Sequence, residues 1–284
     1  MCDVIVDLLV RTARVGTMLV GRSLVQRQRE RPSLSISVSK PKRVGSLEGF
    51  LLLPSQMSFY VKRSETARQK ELTVHKGART TTWLVPKARR SVREIQVFHK
   101  PGAYEHLPDS QNPLIPPPHW HWYQEEYFTV LQGRFIFTLE GKRIPVTPND
   151  PQPVAIPPLA RHTFKADPTC AEPCKIQIEL EVSPLVDGKT AEEELGGNER
   201  FFRNLYCYLD DCEAQNVTPS LFQLLLFLHS AEVSLAFPGP GWLARPLSYA
   251  FGLVLGKWVG GYILGYGISY PEYYDPSMMS KKSK

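Results

Sequence analysis

The sequence has little cysteine: 5 residues in 284, namely Cys2, Cys170, Cys174, Cys207 and Cys212. This number is too small for a disulfide scaffold, and an odd count without a secretory signal indicates a reducing compartment. The spacings within the two close pairs differ from those of zinc ribbons, so we interpret the thiols as structural. The G-x-S-x-G, G-x-G-x-x-G and Walker patterns are also missing, which disfavours nicotinamide, flavin and nucleotide cofactors.

Uninterrupted apolar runs as long as a membrane span are missing as well. The most apolar stretch, residues 242–270, is interrupted by Arg245 and Lys257. Glycine recurs in it at every fourth position, a spacing that lets helices pack closely and that also occurs in membrane spans. We expect a buried helix pair packed on the rest of the protein, with membrane association through this region as the alternative.

Charge is unevenly distributed along the chain. Residues 1–100 hold 20 Lys and Arg against 7 Asp and Glu, whereas residues 101–284 hold 14 against 21. Aromatic residues do not alternate with the basic ones, so a nucleic-acid partner is not expected. We interpret residues 1–56 as a basic N-terminal extension, either disordered or presequence-like, or as a segment upstream of a start at Met57. An intracellular, cytoplasmic location is favoured over a mitochondrial or membrane-associated one.

Short β-prone runs separated by glycine, proline or charge dominate the middle of the chain, and they predict a mainly β sandwich or barrel. The runs are Glu71–His75, Thr80–Val85, Glu94–His99, Glu126–Leu131, Arg134–Leu139 and Lys175–Val182. The last run alternates apolar and polar residues, as a half-buried strand does. We therefore predict a β domain at residues 57–183 and a helix-rich apolar region at residues 184–284.

Two helices are predicted at the start of that C-terminal region. Thr190–Tyr208 is acidic and then aromatic, which is typical of an amphipathic helix. Thr218 is a candidate N-cap with Pro219 at the first helical position, followed by the apolar run Leu221–Leu228.

The segment that indicates chemistry is Pro116–Gly133, PPPHWHWYQEEYFTVLQG. Two histidines two residues apart on a strand point to the same face, so His119 and His121 can bind one metal ion. A carboxylate from the next strand adds a third ligand, and His162 follows in a later segment after a proline-bounded turn. Glu125 and Glu126 have opposite strand parity, so only one of them can face the histidines.

This pattern resembles the cupin family. The first cupin motif reads G-x5-H-x-H-x3/4-E-x6-G, and the gaps from His121 to Glu126 and from Glu126 to Gly133 both match it. The second motif reads G-x5-P-x-G-x2-H-x3-N, in which Pro157 and His162 match. The chain departs from the two motifs at Pro113, Leu159 and Ala166, which stand at their glycine, glycine and asparagine positions.

The resemblance implies a single jelly-roll barrel that holds one divalent metal on His119, His121, Glu126 and His162. Fe(II) is favoured, with Mn(II), Ni(II) and Zn(II) as alternatives, because imidazole and carboxylate ligands suit all four ions. Cupin barrels commonly pair, so a homodimer is a further expectation. Phe128 shares the inward parity of Glu126 and is expected to line an apolar pocket.

Beyond the motifs, the chain looks like fungal cupin-domain oxidoreductases that accompany polyketide synthases in secondary metabolism. This likeness implies a metal-dependent oxidoreductase that uses O₂ on a small apolar or aromatic substrate, of salicylaldehyde type. The alternative on the same site is a redox-neutral dehydratase, isomerase or cyclase in which the metal acts as a Lewis acid. A third hypothesis is a binding or storage module without catalysis.

Overall fold

The computed structural model describes residues 61–85, 91–182 and 196–278. The predicted N-terminal extension at residues 1–56 and the predicted domain boundary at residues 183/184 lie outside these ranges or at their edge. The described residues form two antiparallel sheets followed by helices. The strands are β1 (Glu71–Val74), β2 (Arg79–Leu84), β3 (Val92–Phe98), β4 (His119–His121), β5 (Gln124–Gln132), β6 (Phe135–Leu139), β7 (Lys142–Val146), β8 (Val154–Ile156), β9 (His162–Ala166), β10 (Cys174–Val182) and β11 (Val233–Leu235).

The mainly β prediction is confirmed, and the six predicted strands coincide with β1, β2, β3, β5, β6 and β10 to within two residues. The first sheet has the order β1-β2-β3-β10-β5-β8. In β10, Ile176, Ile178 and Leu180 are buried as predicted. The alternation is broken by Glu179, which is also buried, and by Val182 at the strand end, which is half-buried. Closure of the two sheets into a barrel stays a prediction.

The second sheet has the order β11-β4-β9-β6-β7. Its edge strand β11 comes from the C-terminal region, where Val233–Leu235 pairs antiparallel with β4. This strand was not predicted, because three residues between helices give no periodic signal. The C-terminal region therefore completes the sheet that carries β4.

Aromatic side chains fill the space between the two sheets. The ring of Phe128, on β5, lies 5.1 Å from that of Phe137 and 4.9 Å from that of Phe164, which belong to the second sheet. Phe98 and Phe135 make a similar contact at 5.6 Å between centroids. These side chains are almost completely buried, and their tilted packing is the arrangement that aromatic pairs prefer.

Two helices follow the first sheet. Helix α1 (Glu199–Ala214) begins at Asn198, whose side chain accepts a hydrogen bond from the backbone N–H of Phe201. Helix α2 (Leu221–Ser230) has Ser220 as its N-cap residue, so the predicted cap at Thr218 was wrong by two residues. Residues 218–220 precede the helix and Ser220 is extended, which leaves Pro219 outside the helix.

The last helical segment consists of α3 (Gly241–Phe251) and a π-helix (Gly252–Ile263) that continues it; a 3₁₀ turn (Pro276–Met278) follows. The π-helix packs along α2. One edge of this segment is buried while its opposite face is exposed, so the expected buried helix pair is wrong in part. Within the described ranges, no helix has the length and hydropathy required to cross a bilayer.

Candidate metal centre

Two adjacent strands of the second sheet carry the three histidines. His119 and His121 lie on β4, and His162 lies on β9 directly opposite His119 in the antiparallel register. The imidazole centroids are 4.3 Å apart for His119 and His162 and 5.5 Å apart for His121 and His162. The alternation of a strand thus puts both β4 rings on the face that also receives the β9 ring.

The first sheet supplies the carboxylate from β5. Oε2 of Glu126 lies 2.8 Å from Nε2 of His162 and 3.5 Å from Nε2 of His121. One ligand atom from each of the four residues lies within 4.8 Å of the other three. The structure therefore brings together all four residues predicted as metal ligands.

Backbone carbonyls orient two of the imidazoles. Nδ1 of His119 lies 2.8 Å from the carbonyl oxygen of Pro117, and Nδ1 of His162 lies 2.9 Å from that of Ala160. A carbonyl oxygen only accepts hydrogen bonds, so each Nδ1 carries a proton, and in the neutral ring each Nε2 is left with a lone pair. This is the tautomer of a histidine that binds a metal through Nε2.

The chemistry of these atoms fits a divalent cation. Both ring nitrogens of His121 are buried and have no hydrogen-bond partner within the described residues. An unpaired buried nitrogen is costly unless it binds something, and a lone pair beside a carboxylate calls for a shared cation. Imidazole nitrogen and carboxylate oxygen suit Fe(II), Mn(II), Ni(II) and Zn(II) alike, so the donor set does not select the ion.

The electrostatics of the cluster agree with this assignment. Burial raises the pKa of Glu126, but the neighbouring His121 and His162 outweigh it and hold the pKa well below its usual range. Burial and the other two imidazoles keep the pKa of His119 well below the ordinary value. At neutral pH, Glu126 is a carboxylate and His119 a neutral imidazole, which are the forms that bind metal.

The side chains next to the ligands in sequence point away from the cluster, as the alternation of a strand requires. Trp120 packs with Ala236 and Ala244 on the other side of β4. The hydroxyl of Tyr127 donates a hydrogen bond to Glu125, whose carboxylate is therefore not directed at the histidines. Glu126 rather than Glu125 is the acidic member of the cluster.

The turn before His162 is the place where the chain departs from the second motif. Leu159 occupies the motif's glycine position with a φ of 64°. This left-handed conformation costs a leucine free energy that a glycine would not lose. The backbone N–H of Leu159 nevertheless donates to the carbonyl of His121 at 2.8 Å, which ties the turn to β4.

The apolar pocket expected beside Glu126 is filled by protein. Phe128 is fully buried against Phe137 and Phe164 rather than lining open space. His119 is half-buried, whereas the other three cluster residues are almost fully buried. Of the four residues, His119 is thus the one most exposed to solvent.

A buried polar group that was not predicted lies on the face of the first sheet that carries Glu126. Oε1 of Glu94 accepts hydrogen bonds from Gln96 at 2.6 Å and from the hydroxyl of Tyr206 at 3.0 Å. The guanidinium of Arg79 stacks on the Tyr206 ring at 4.0 Å. Burial raises the pKa of Glu94 to about 7. The run that holds Glu94 and Gln96 predicted a strand, but no pattern in it showed that α1 would cover them.

A second group of ligand-type side chains comprises His75, Asp210 and Glu213. Most of its atoms already have partners: Asp210 accepts the backbone N–H of His75, and Glu213 is bonded to Nδ1 of His75 and to Tyr104. Nε2 of His75 is buried without a hydrogen-bond partner among the described residues. The ammonium of Lys76 also lies 3.3 Å from Glu213. These contacts fasten the β1–β2 turn to α1, which is a structural role.

Comparison with known proteins gave no matching family model. Among solved structures, the Cupin_2 domain of an XRE family transcriptional regulator from Enterobacter cloacae is 14% identical, with a TM-score of 0.28, over 37% of this chain and 98% of that one. KdgF from Halomonas sp. is 18% identical, with a TM-score of 0.29, over 40% of this chain and 87% of that one.

Several curated relatives are fungal oxidoreductases. The probable oxidoreductase VirH of Hypocrea virens is 33% identical over 214 residues, 68% of this chain and 93% of VirH. Oxidoreductase IacF of Pestalotiopsis fici is 37% identical over 45% of this chain and 59% of IacF. Epoxidase AtD of Aspergillus terreus is 29% identical over 60% of this chain and 48% of AtD. The ligand positions of the two cupin motifs are present in the chain, which keeps the resemblance to cupins. VirH is 33% identical and is matched over nearly its whole length, so this chain belongs to the same family as that fungal protein.

Proposed function

We propose that the chain is a metal-dependent oxidoreductase that acts on a small apolar or aromatic substrate. The names of its relatives support redox chemistry, since VirH and IacF are called oxidoreductases and AtD an epoxidase. The His/Glu cluster supplies a place for the redox-active ion. The finer proposal, carried by the resemblance alone, is a polyketide-like substrate of salicylaldehyde type.

The observation that carries the proposal is the orientation of the ligand atoms. The carbonyls of Pro117 and Ala160 place the Nδ1 proton of His119 and His162, Nε2 of His162 lies 2.8 Å from Oε2 of Glu126, and a ligand atom of His119 lies within 4.8 Å of the others. A bound Fe(II) ion would supply one-electron redox chemistry and open coordination positions for O₂ or substrate. Four fixed protein ligands leave such positions on an ion that prefers six.

The remaining residues protect and orient this chemistry. Phe128, Phe137 and Phe164 close the interior beside Glu126, so water has no path from that side. The half-buried His119 marks the open side, where a substrate would approach.

The test is elemental analysis of protein purified without chelator or a nickel column, beside the His119→Ala/His121→Ala double variant. About one iron per chain in the parent and none in the variant, with O₂ uptake that depends on an added phenolic substrate, would support the proposal. One zinc per chain and turnover without O₂ would favour a redox-neutral Lewis-acid enzyme instead. Failure of both proteins to hold metal after anaerobic reconstitution would overturn metal-dependent catalysis.

A further inference from the structure

The exposed apolar side chains of the described residues concentrate on one helical segment. Eight of the 14 large apolar residues that are exposed lie in α3 and the π-helix, and two more, Leu264 and Ile268, follow directly. Trp242 is 78% exposed, Tyr262 75% and Ile263 74%. We call the solvent side of α3 and the π-helix the outer helical face. Proteins in water rarely leave a patch of this kind uncovered, and such patches mark interaction sites.

The glycines of the π-helix fix which side faces outward. A Cβ at Gly256 would lie 2.6 Å from the carbonyl carbon of Leu225, and one at Gly260 would lie 2.8 Å from the carbonyl oxygen of Phe222. Only glycine allows α2 to approach this closely. If the π-helix rotated to bury Trp258, bulky side chains would clash with the α2 backbone. Exposure of the outer helical face is therefore built into the packing.

The chemistry of the outer helical face matches a lipid surface. Residues 233–271 contain no Asp or Glu, and their two charged residues are Arg245 and Lys257. Lys257 is exposed beside Trp258, which is 52% exposed. Tryptophan and tyrosine favour the boundary between headgroups and acyl chains, and lysine is attracted to anionic headgroups.

We propose that the outer helical face docks the protein on the surface of an anionic membrane. The helix would lie in the plane of the headgroups, with Trp242, Trp258 and Tyr262 inserted and Lys257 beside the phosphates. A second copy of the chain fits this face less well. Residues 233–271 of the copy offer no carboxylate to pair with Lys257, and burying an unpaired lysine is costly.

The docking face is connected to the candidate metal centre. Tyr249 contacts the Trp122 ring at 5.5 Å, directly after the β4 ligands. Arg245 donates a hydrogen bond to the carbonyl of Leu159 at 3.3 Å, in the turn before His162. Docking would hold these ligand-bearing segments near the bilayer. Docking would also let an apolar substrate reach the site from the lipid. That benefit rests on the proposed function, but the docking proposal does not depend on it.

The experiment is flotation of the full chain with vesicles of phosphatidylcholine alone or with 30 mol% phosphatidylglycerol. We expect binding to the anionic vesicles that weakens as salt is raised. The triple variant Trp242→Ser/Trp258→Ser/Tyr262→Ser should bind roughly tenfold or more weakly, because its interfacial anchors are gone. The matched control is Leu131→Ser/Ile144→Ser/Val217→Ser, which removes three exposed apolar side chains elsewhere and should bind like the parent.

Charge is tested separately with Lys257→Glu, which should reduce binding to anionic vesicles several-fold. Circular dichroism and metal content should be unchanged in the triple variant, which would show that it is folded. Vesicle binding that survives the triple substitution belongs to another part of the chain, such as the basic residues 1–56, and overturns the proposal. A concentration-dependent dimer that the triple variant abolishes, without vesicle binding by the parent, would show that a second copy covers the face.

Discussion

Nε2 of His162 lies 2.8 Å from Oε2 of Glu126, while Nδ1 of the same ring faces the carbonyl of Ala160. The carbonyl oxygen only accepts, so Nδ1 carries a proton, and the short contact at Nε2 requires a cation between the nitrogen and the carboxylate oxygen. Without a metal, that cation is a second ring proton: burial favours the neutral imidazole, yet the bond to Glu126 outweighs burial and raises the pKa of His162. A metal ion bound at this site would take the place of the Nε2 proton.

Single substitutions of the four cluster residues test the metal centre. His119→Ala, His121→Ala, Glu126→Ala and His162→Ala should each lower metal affinity by roughly tenfold or more, because each removes one ligand. Glu125→Ala should leave the affinity unchanged, since that carboxylate is bonded to Tyr127. Competition titrations against a chromophoric chelator give the affinities. If Glu125→Ala loses metal while Glu126→Ala retains it, the site assignment is wrong.

The buried carboxyl of Glu94 should make stability depend on pH. Burial raises the pKa of Glu94 from 4.5 to about 7, so the folded state holds this proton more tightly than the unfolded chain. The resulting stabilisation is complete below pH 4.5 and is lost as the pH rises through 7. By linkage, Glu94 alone should lower the free energy of unfolding by roughly 2 to 3 kcal/mol between pH 5 and pH 8.

Glu94→Gln isolates this contribution, because glutamine keeps the shape of the side chain and cannot ionise. Urea unfolding at pH 5 and pH 8 should show a smaller loss of stability in Glu94→Gln than in the parent, by roughly 2 to 3 kcal/mol. The exposed Glu172→Gln is the control and should behave as the parent does. Equal pH dependence in all three proteins would contradict a raised pKa at Glu94.

Much of the site could be predicted from the sequence because it rests on local spacing. His119 and His121 share a face through strand parity, and the same parity separates Glu125 from Glu126. The order and spacing of the two cupin motifs then identified His162 as the fourth candidate ligand. The pairing of β4 with β9 and β11 joins distant segments, and no local pattern specifies it.

Features set by tertiary packing were beyond prediction. Tyr206 reaches Glu94 only because α1 lies over the first sheet, so the raised pKa has no sequence signature. The glycine spacing predicted close helix packing, which Gly256 confirms. It did not show that the opposite face, with Trp242, would remain exposed, since apolar content alone does not distinguish a buried helix from an exposed one.

Gly133 and Gly141 form a matched pair for testing the turns of the β domain. Both have positive φ, 77° and 80°, so alanine at either position is strained by about 1 kcal/mol. A Cβ at Gly133 would also lie 2.5 Å from Sγ of Cys174 and 3.1 Å from its Cα, whereas Gly141 has nothing within 4 Å. Gly133→Ala should therefore cost roughly 2 to 4 kcal/mol and Gly141→Ala about 1 kcal/mol in urea unfolding. Equal losses would show that the contact with Cys174 relaxes freely.

Gly256 and Gly261 offer a similar pair in the π-helix, where the contact is with backbone. A Cβ at Gly256 would lie 2.6 to 2.8 Å from backbone atoms of Leu225 and Leu226, which cannot move without displacing α2. At Gly261 the nearest atom is 3.7 Å away, at the end of the Leu226 side chain, which is an ordinary contact. Gly256→Ala should lower the free energy of unfolding by about 3 kcal/mol. Gly261→Ala should leave it unchanged or raise it by up to about 1 kcal/mol, because alanine favours helix. Thermal unfolding monitored by circular dichroism compares the two, and a stable Gly256→Ala protein would mean that the helix does not sit against α2 at this distance.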